Sequence, residues 1–187
     1  MSPSRTARGL LIAALLAPSA LAAQEAIPMV DLERAMLPLP VSDRAGATVM
    51  VVENDVARVV KEGDGQFICL ADTPGDERFQ AACYHRTLEP YMARGRELRK
   101  EGLTSRESIA KRQEEIEAGE LEMPAHGMLH QVFAEGDWDG DMATASRLTV
   151  IYVPFATAEE LGLPDGRAEG PWVMFSGSPT AHIMIGS

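Results

Sequence analysis

Four histidines are the side chains of this sequence best suited to bind a transition metal or to act as a general base. His126 and His130 are spaced i, i+4, which brings two imidazoles to one face of a helix and is typical of zinc ligands. The glutamate of the H-E-x-x-H motif is missing, however, and Gly127 disfavours a helix. On a strand the two residues would lie about 13 Å apart, too far for one ion. A zinc enzyme that uses His126, His130 and His182 is therefore an alternative, and surface or core histidines are favoured.

Asp137, Asp139 and Asp141 form a second group of candidate ligands, because closely spaced carboxylates can bind calcium. An EF-hand loop requires glycine at its sixth position and glutamate at its twelfth, where this chain has Met142 and Leu148. The pattern therefore favours a solvated turn. We predict no cofactor, with zinc and calcium kept as alternatives.

The two cysteines, Cys69 and Cys83, are predicted to form a disulfide bond, because an even number of cysteines in an exported chain indicates pairing. The bond would close a loop of about 15 residues, which the chain-entropy model values at about 3 kcal/mol of stability. A redox pair or a metal thiolate site is the alternative, and neither is supported by a C-x-x-C spacing.

The two tryptophans are candidates for contact with a ligand or partner, although a chain with only 5% aromatic residues needs its large side chains for the core. Trp172 stands between Pro171 and Val173, a context that favours a core anchor. Trp138 lies between two aspartates in the predicted loop and is the better candidate for a contact with a partner.

Residues 1–22 have the order of features typical of a cleavable signal peptide. Arg5 and Arg8 precede an apolar run at 9–17, and the small residues of 20–22 precede the expected cleavage site. The apolar run is shorter than the roughly 20 residues that span a bilayer. We therefore predict Sec-dependent export from a bacterial cytoplasm to a periplasmic or secreted location, with no integral membrane segment after cleavage.

The charge balance excludes one class of partner. The chain has 17 basic and 28 acidic residues and a formal net charge of −11, and removal of the signal peptide would leave 15 basic residues. Nucleic acid binding depends on neutralising phosphates with Lys and Arg, so nucleic acid is not an expected partner. An unidentified small molecule or a protein of the cell envelope is expected instead.

The mature chain of about 165 residues has the length of one ordinary domain. We predict an extended N-terminal arm over residues 23–46, where prolines interrupt the apolar residues, with a short helical turn on the surface as the alternative, and a single α+β domain over 47–187. A mostly antiparallel sheet with two helices in the middle of the chain is expected.

Local patterns predict the individual elements. Valine-rich segments separated by turn residues predict an antiparallel meander of three strands, at 48–53, 56–61 and 66–70. A helix is predicted at about 88–99. A second helix is predicted to begin at the capping-box pattern of Thr104 and Glu107. Further strands are predicted within 123–134 and at 147–153, 172–175 and 182–185, with a short helical turn at 157–161.

Four segments form a recognisable pattern, namely KEGDGQFICLADTP at 61–74 with the second cysteine nearby, YVPFAT at 152–157, PWVM at 171–174 and HIMI at 182–185. Together they resemble a family of uncharacterised exported bacterial proteins. The resemblance covers most of the mature chain and implies export and a single domain. It implies no activity.

The sequence therefore favours a non-catalytic, exported binding module for a small molecule or a protein. A zinc enzyme is the first alternative, and a structural protein of the envelope is the second.

Overall fold

A computed structural model describes residues 29–53, 56–73, 77–136 and 138–186, without the side chains of 29–31. The predicted signal peptide and its cleavage site lie outside the described residues. Within them, no helix is long and apolar enough to cross a membrane.

Eight strands of the described chain form one sheet in the order β2-β1-β3-β4-β5-β6-β8-β7. The strands are β1 (Thr48–Glu53), β2 (Val56–Lys61), β3 (Phe67–Leu70), β4 (Arg78–His85), β5 (Gly127–Glu135), β6 (Ser146–Tyr152), β7 (Trp172–Met174) and β8 (His182–Gly186). All neighbours are antiparallel except β1 and β3. The prediction of an α+β fold with a mostly antiparallel sheet is confirmed.

The predicted meander of the first three strands is wrong, because β1 lies between β2 and β3 and runs parallel to β3. The link from β2 to β3 must therefore pass the start of β1. It does so at very close range, since a Cβ atom at Gly63 would lie 2.2 Å from the Gly46 carbonyl oxygen, and one at Gly65 would lie 2.7 Å from it. Gly63 and Gly65, which are also typical of a tight turn, therefore allow two backbone segments to pass at close range.

Strand β4, the eight-residue strand between β3 and β5, was not predicted. Its sequence, RFQAACYH, has two alanines and polar ends, and its propensity for a strand is modest. Hydrogen bonding to partners on both sides determines its conformation.

Two of the described helices begin at a capping box. The main ones are α3 (Glu89–Lys100) and α4 (Ser105–Glu117), preceded by α1 (Met29–Ala35) and α2 (Val41–Arg44) and followed by α5 (Ala158–Leu161). The predicted capping box is present, since the Thr104 hydroxyl accepts from the Glu107 backbone N–H and the Glu107 carboxylate accepts from that of Thr104. A second capping box, of Thr157 and Glu160, begins α5.

One face of the sheet carries Cys83, Val132 and Thr149, and we call it the α1 face because α1 packs on it. The described part of the predicted arm, residues 29–46, forms two short helices here. Ala35 and Leu39 from this segment are buried in the core. Apolar residues at helical spacing thus anchor the segment to the sheet.

The opposite face carries Tyr84, Leu129 and Tyr152, and we call it the α3 face because α3 and α4 cover it. A cluster of three polar side chains joins α3 to β4. The Tyr84 hydroxyl donates to the Glu89 carboxylate, while Arg96 donates to Glu89 at 2.5 Å and to the Tyr84 hydroxyl at 3.2 Å. Each polar group at this buried position therefore has a partner.

The predicted disulfide bond between Cys69 and Cys83 is present. The two residues lie directly opposite each other on β3 and β4, and both are fully buried on the α1 face. The bond is thus part of the core.

Candidate functional site

The three histidines proposed as zinc ligands lie apart. His126 is exposed in the turn before β5, whereas His130 lies on the α1 face and His182 on the α3 face. Two of them have a local partner, since His130 Nδ1 lies 3.1 Å from the Thr149 hydroxyl and His182 Nδ1 donates to the Thr180 carbonyl at 2.8 Å. Among the described residues, no group of three His, Cys, Asp or Glu side chains could hold a metal ion.

The aspartates proposed for calcium are partly used by their own loop. The Asp139 carboxylate accepts from the Asp141 backbone N–H, and the Asp141 carboxylate accepts from that of Ala143, each at 2.9 Å. Such Asx turns stabilise the loop conformation. Asp137 lies outside the described residues.

The two tryptophans have different environments. Trp138 is only 8% exposed, and its ring lies 4.7 Å from that of Phe79. Its indole N–H donates to the Asp141 carbonyl and to the Thr144 hydroxyl, both at 3.0 Å. Trp172 is half-buried on β7. Trp138, the better candidate for a contact with a partner, is therefore packed into its own loop.

A cleft of about 380 Å³ lies on the α1 face, between the segment that contains α2 and the strands β5 and β6. It is lined by Leu37, Pro38, Leu39, Pro40, Val41, Arg44, His130, Gln131, Val132, Met142, Arg147, Leu148 and Thr149. Most of these side chains are apolar, and the polar ones belong to α2, β5 and β6. The cleft is therefore an apolar space with a few polar groups.

Arg44 holds the wall of the cleft in place. Its Nε donates to the Leu39 carbonyl at 3.0 Å, and its Nη2 donates to the Leu37 carbonyl at 3.3 Å. The guanidinium thereby satisfies carbonyl groups between α1 and α2 that no helix uses. Val41, the next wall residue, is 77% exposed and leaves the mouth of the cleft open.

The floor of the cleft comes from paired positions on β5 and β6, where His130 faces Thr149 and Val132 faces Arg147. Partial burial lowers the pKa of His130, and the nearby Asp43 carboxylate opposes that effect. The imidazole is therefore neutral near pH 7. It offers one donor and one acceptor beside the Thr149 hydroxyl.

The charge of the cleft is opposite to that of the chain. The residues that line it include Arg44 and Arg147 but no aspartate or glutamate, although the whole chain carries a net charge of −11. Arg147 is exposed, and its side chain forms no hydrogen bond or ion pair with the described residues. The cleft thus presents a free cation beside an apolar surface, which suits an anionic group on an apolar molecule.

The sequence had not identified Arg44 or Arg147 as site residues. Arg147 opens the predicted strand at 147–153, and period-two alternation puts it on the same face as Thr149. That alternation is a signal for a polar patch on this face. Arg44 had no comparable signal, because its role depends on the fold of the α1–α2 segment.

No protein-family model, curated protein or solved structure matches the chain.

Proposed function

We propose that the protein is an exported, non-catalytic binding module whose cleft on the α1 face holds a small molecule with an apolar body and an anionic group. The observation that carries this proposal is the combination of apolar walls with the free cation of Arg147. A small molecule suits this site better than a protein partner does, because the cleft is concave.

The size of the cleft supports a small-molecule ligand. Ligand sites in proteins commonly have volumes of about 300–1,000 Å³ and are mostly apolar with a few polar groups that orient the ligand. The cleft, at about 380 Å³, lies at the small end of this range. We therefore expect a ligand with up to three rings or a short alkyl chain.

The two arginines have different roles in this proposal. Arg44 is committed to backbone carbonyls of the wall and positions it. Arg147 has its guanidinium free to donate to a carboxylate or sulfonate. A hydrogen bond to a charged group contributes about 1.5–3 kcal/mol, so Arg147 would be the main polar determinant of affinity.

Export remains part of the proposal. The buried Cys69–Cys83 disulfide supports it, because disulfides form and persist mainly in oxidising compartments outside the cytoplasm. The predicted signal peptide and the resemblance to exported bacterial proteins point the same way.

A pair of fluorescent probes tests the site. Anilinonaphthalene sulfonate has apolar rings and an anionic group, whereas N-phenylnaphthylamine has nearly the same rings without the charge. We expect both to bind one site in the folded protein, and the sulfonate to bind more tightly. The substitution Arg147→Gln should weaken binding of the sulfonate about tenfold, which corresponds to 1.4 kcal/mol, and should leave binding of the neutral probe unchanged.

Two further variants locate the probe. Val41→Asp places a negative charge at the exposed rim and should weaken the sulfonate selectively. Arg106→Gln removes an exposed arginine of α4, away from the cleft, and should have no effect. Equal responses of the Arg147 and Arg106 variants, or no saturable binding, would refute the proposed function.

A further inference from the structure

The cleft continues into an apolar part of the α1 face that no core cluster covers. Cross-strand pairing places Ile151 of β6 between Met128 of β5 and Ile183 of β8. Ile185 of β8 lies opposite Thr149 of β6. We call these four apolar residues the apolar strip. Thr149 lines the cleft and is two residues before Ile151 on the same strand, so the strip begins where the cleft ends.

The residues of the apolar strip are not part of the protein interior. Met128 is 36% exposed and Ile185 is 37% exposed. Ile151 and Ile183 are half-buried, and none of the four belongs to a hydrophobic core cluster of the described residues. By contrast Val150, which points from β6 to the α3 face, is buried in the core. Contiguous exposed apolar surface marks an interaction site.

The charge on this part of the sheet lies at one end. On the α1 face, the paired positions of β5, β6 and β8 carry no aspartate or glutamate, although the chain has 28 acidic residues. Arg147, with its free guanidinium, is four residues before Ile151 on β6. A cation thus stands at one end of an apolar path. This order matches a single-chain molecule with an anionic group at one end.

The length of this path determines the length of the chain that fits it. With a rise of about 3.3 Å per residue, Thr149 lies about 7 Å and Ile151 about 13 Å from Arg147 along β6. Carbon–carbon bonds of about 1.5 Å advance an extended alkyl chain by about 1.3 Å per carbon. A carboxylic acid of about six carbons would therefore end in the cleft, whereas one of about ten carbons would reach the strip.

We propose that the ligand of the cleft is a free single-chain amphiphile, with its anionic group at Arg147 and an alkyl chain of about ten carbons over the apolar strip. This inference rests on the proposed function, whose site it extends and whose ligand class it specifies. Full burial of one methylene group corresponds to about a fourfold gain in affinity. The strip is open to solvent on one side, so we expect about a twofold gain per methylene.

Two other occupants suit the strip less well. A second copy of the chain carries the same formal net charge of −11, and the four uncharged residues of the strip do not offset the repulsion between copies. A flat bilayer surface does not match the concave cleft, where residues 37–41 form a wall beside Arg147. A single molecule can follow the path from the cleft to the strip.

A series of fatty acids tests the length of the ligand. Hexanoate, octanoate, decanoate and tetradecanoate, each below its critical micelle concentration, compete with anilinonaphthalene sulfonate, and calorimetry measures decanoate directly. We expect decanoate to bind at least about tenfold more tightly than hexanoate, with little further gain for tetradecanoate. Decanol has the same chain without the charge. Arg147→Gln should therefore weaken decanoate about tenfold and leave decanol unchanged.

Variants of the strip connect chain length to place. Ile151→Thr and Ile183→Thr keep a β-branched residue on each strand, and together they should weaken decanoate about fivefold. Hexanoate, which ends near Thr149, should bind as before. Val56→Thr is the matched control, because it changes an exposed valine on the edge strand β2, away from β6 and β8, and should alter neither acid.

Failure of this inference can be told from failure of the proposed function. If Arg147→Gln weakens the sulfonate probe but hexanoate and decanoate bind equally well, only the inference is overturned. If Arg147→Gln changes the binding of neither the probe nor decanoate, both are overturned. A dimer in sedimentation that Ile151→Thr dissociates would assign the strip to a second copy. Binding to anionic phospholipid vesicles without binding of monomeric decanoate would assign it to a membrane surface, and either result overturns the inference.

Discussion

Gly63 is the described glycine at which a Cβ atom would make the closest contact, because the β2–β3 link passes residues 46–47 just before β1. An alanine Cβ at this position would lie 2.2 Å from the Gly46 carbonyl oxygen and 2.5 Å from the carbonyl carbon and oxygen of Ala47. All three are backbone atoms, so no rotamer change relieves the contact. One of the two segments must move by about 1 Å to reach ordinary van der Waals separation.

The free-energy cost of Gly63→Ala combines steric strain, weakened hydrogen bonds and a change in the entropy of the unfolded chain. Steric strain from one extra methyl group contributes about 1–3 kcal/mol. The Gly63 carbonyl also accepts from the Thr48 hydroxyl and from Arg86, both at 3.1 Å, and each of these bonds contributes about 1 kcal/mol. Replacement of glycine lowers the entropy of the unfolded chain, which offsets about 0.4–1 kcal/mol. We expect a net loss of about 3 kcal/mol.

Urea unfolding followed by circular dichroism measures this loss. With a denaturant slope of about 2 kcal/mol per molar, the midpoint should fall by about 1.5 M. Gly186→Ala is the matched control, because the nearest atom to its new Cβ outside its own chain neighbours, the Arg147 carbonyl oxygen, is 4.0 Å away. Its midpoint should stay within about 0.3 M of the wild type. If both variants unfold at the same urea concentration, the close crossing of the two segments is refuted.

Two other predictions concern stability. Replacement of both Cys69 and Cys83 by alanine should reduce the free energy of unfolding by about 3 kcal/mol, since the bond joins residues 14 apart in the chain. If a reducing agent leaves the urea midpoint of the wild type unchanged, this prediction is contradicted. Burial lowers the pKa of His182, so below about pH 6.5 the unfolded chain takes up a proton that the folded protein does not. Stability should therefore fall between about pH 7 and pH 5, and His182→Gln should flatten that dependence; parallel pH profiles for variant and wild type would exclude this role.

Elements with a local code could be predicted from the sequence. The capping box of Thr104 and Glu107 determines where α4 begins, because both of its hydrogen bonds lie within one helical turn. The strands β1 and β2 follow from runs of valine, and β6 from its apolar residues. The cysteine pair was predicted from composition and compartment, and its position across β3 and β4 supplies the geometry.

Features that depend on distant parts of the chain could not be predicted in this way. The position of β1 between β2 and β3 depends on a close backbone crossing, and the same glycines also fit a tight turn. Strand β4 has a weak local signal and is held by neighbours on both sides. The cleft combines Arg44 with Arg147, about 100 residues further along the chain, and α1 and α2 must fold onto the sheet before the two share a surface.

Because the disulfide joins two neighbouring strands of the sheet, it can form only when these strands are paired in the native register. Cys69 and Cys83 face each other across β3 and β4 and point to the same face. A shift of the pairing by one residue would turn one sulfur atom to the opposite face, and the bond could not close. Only chains with the native alignment of these strands can therefore be locked covalently. Misaligned chains stay reduced and remain free to rearrange.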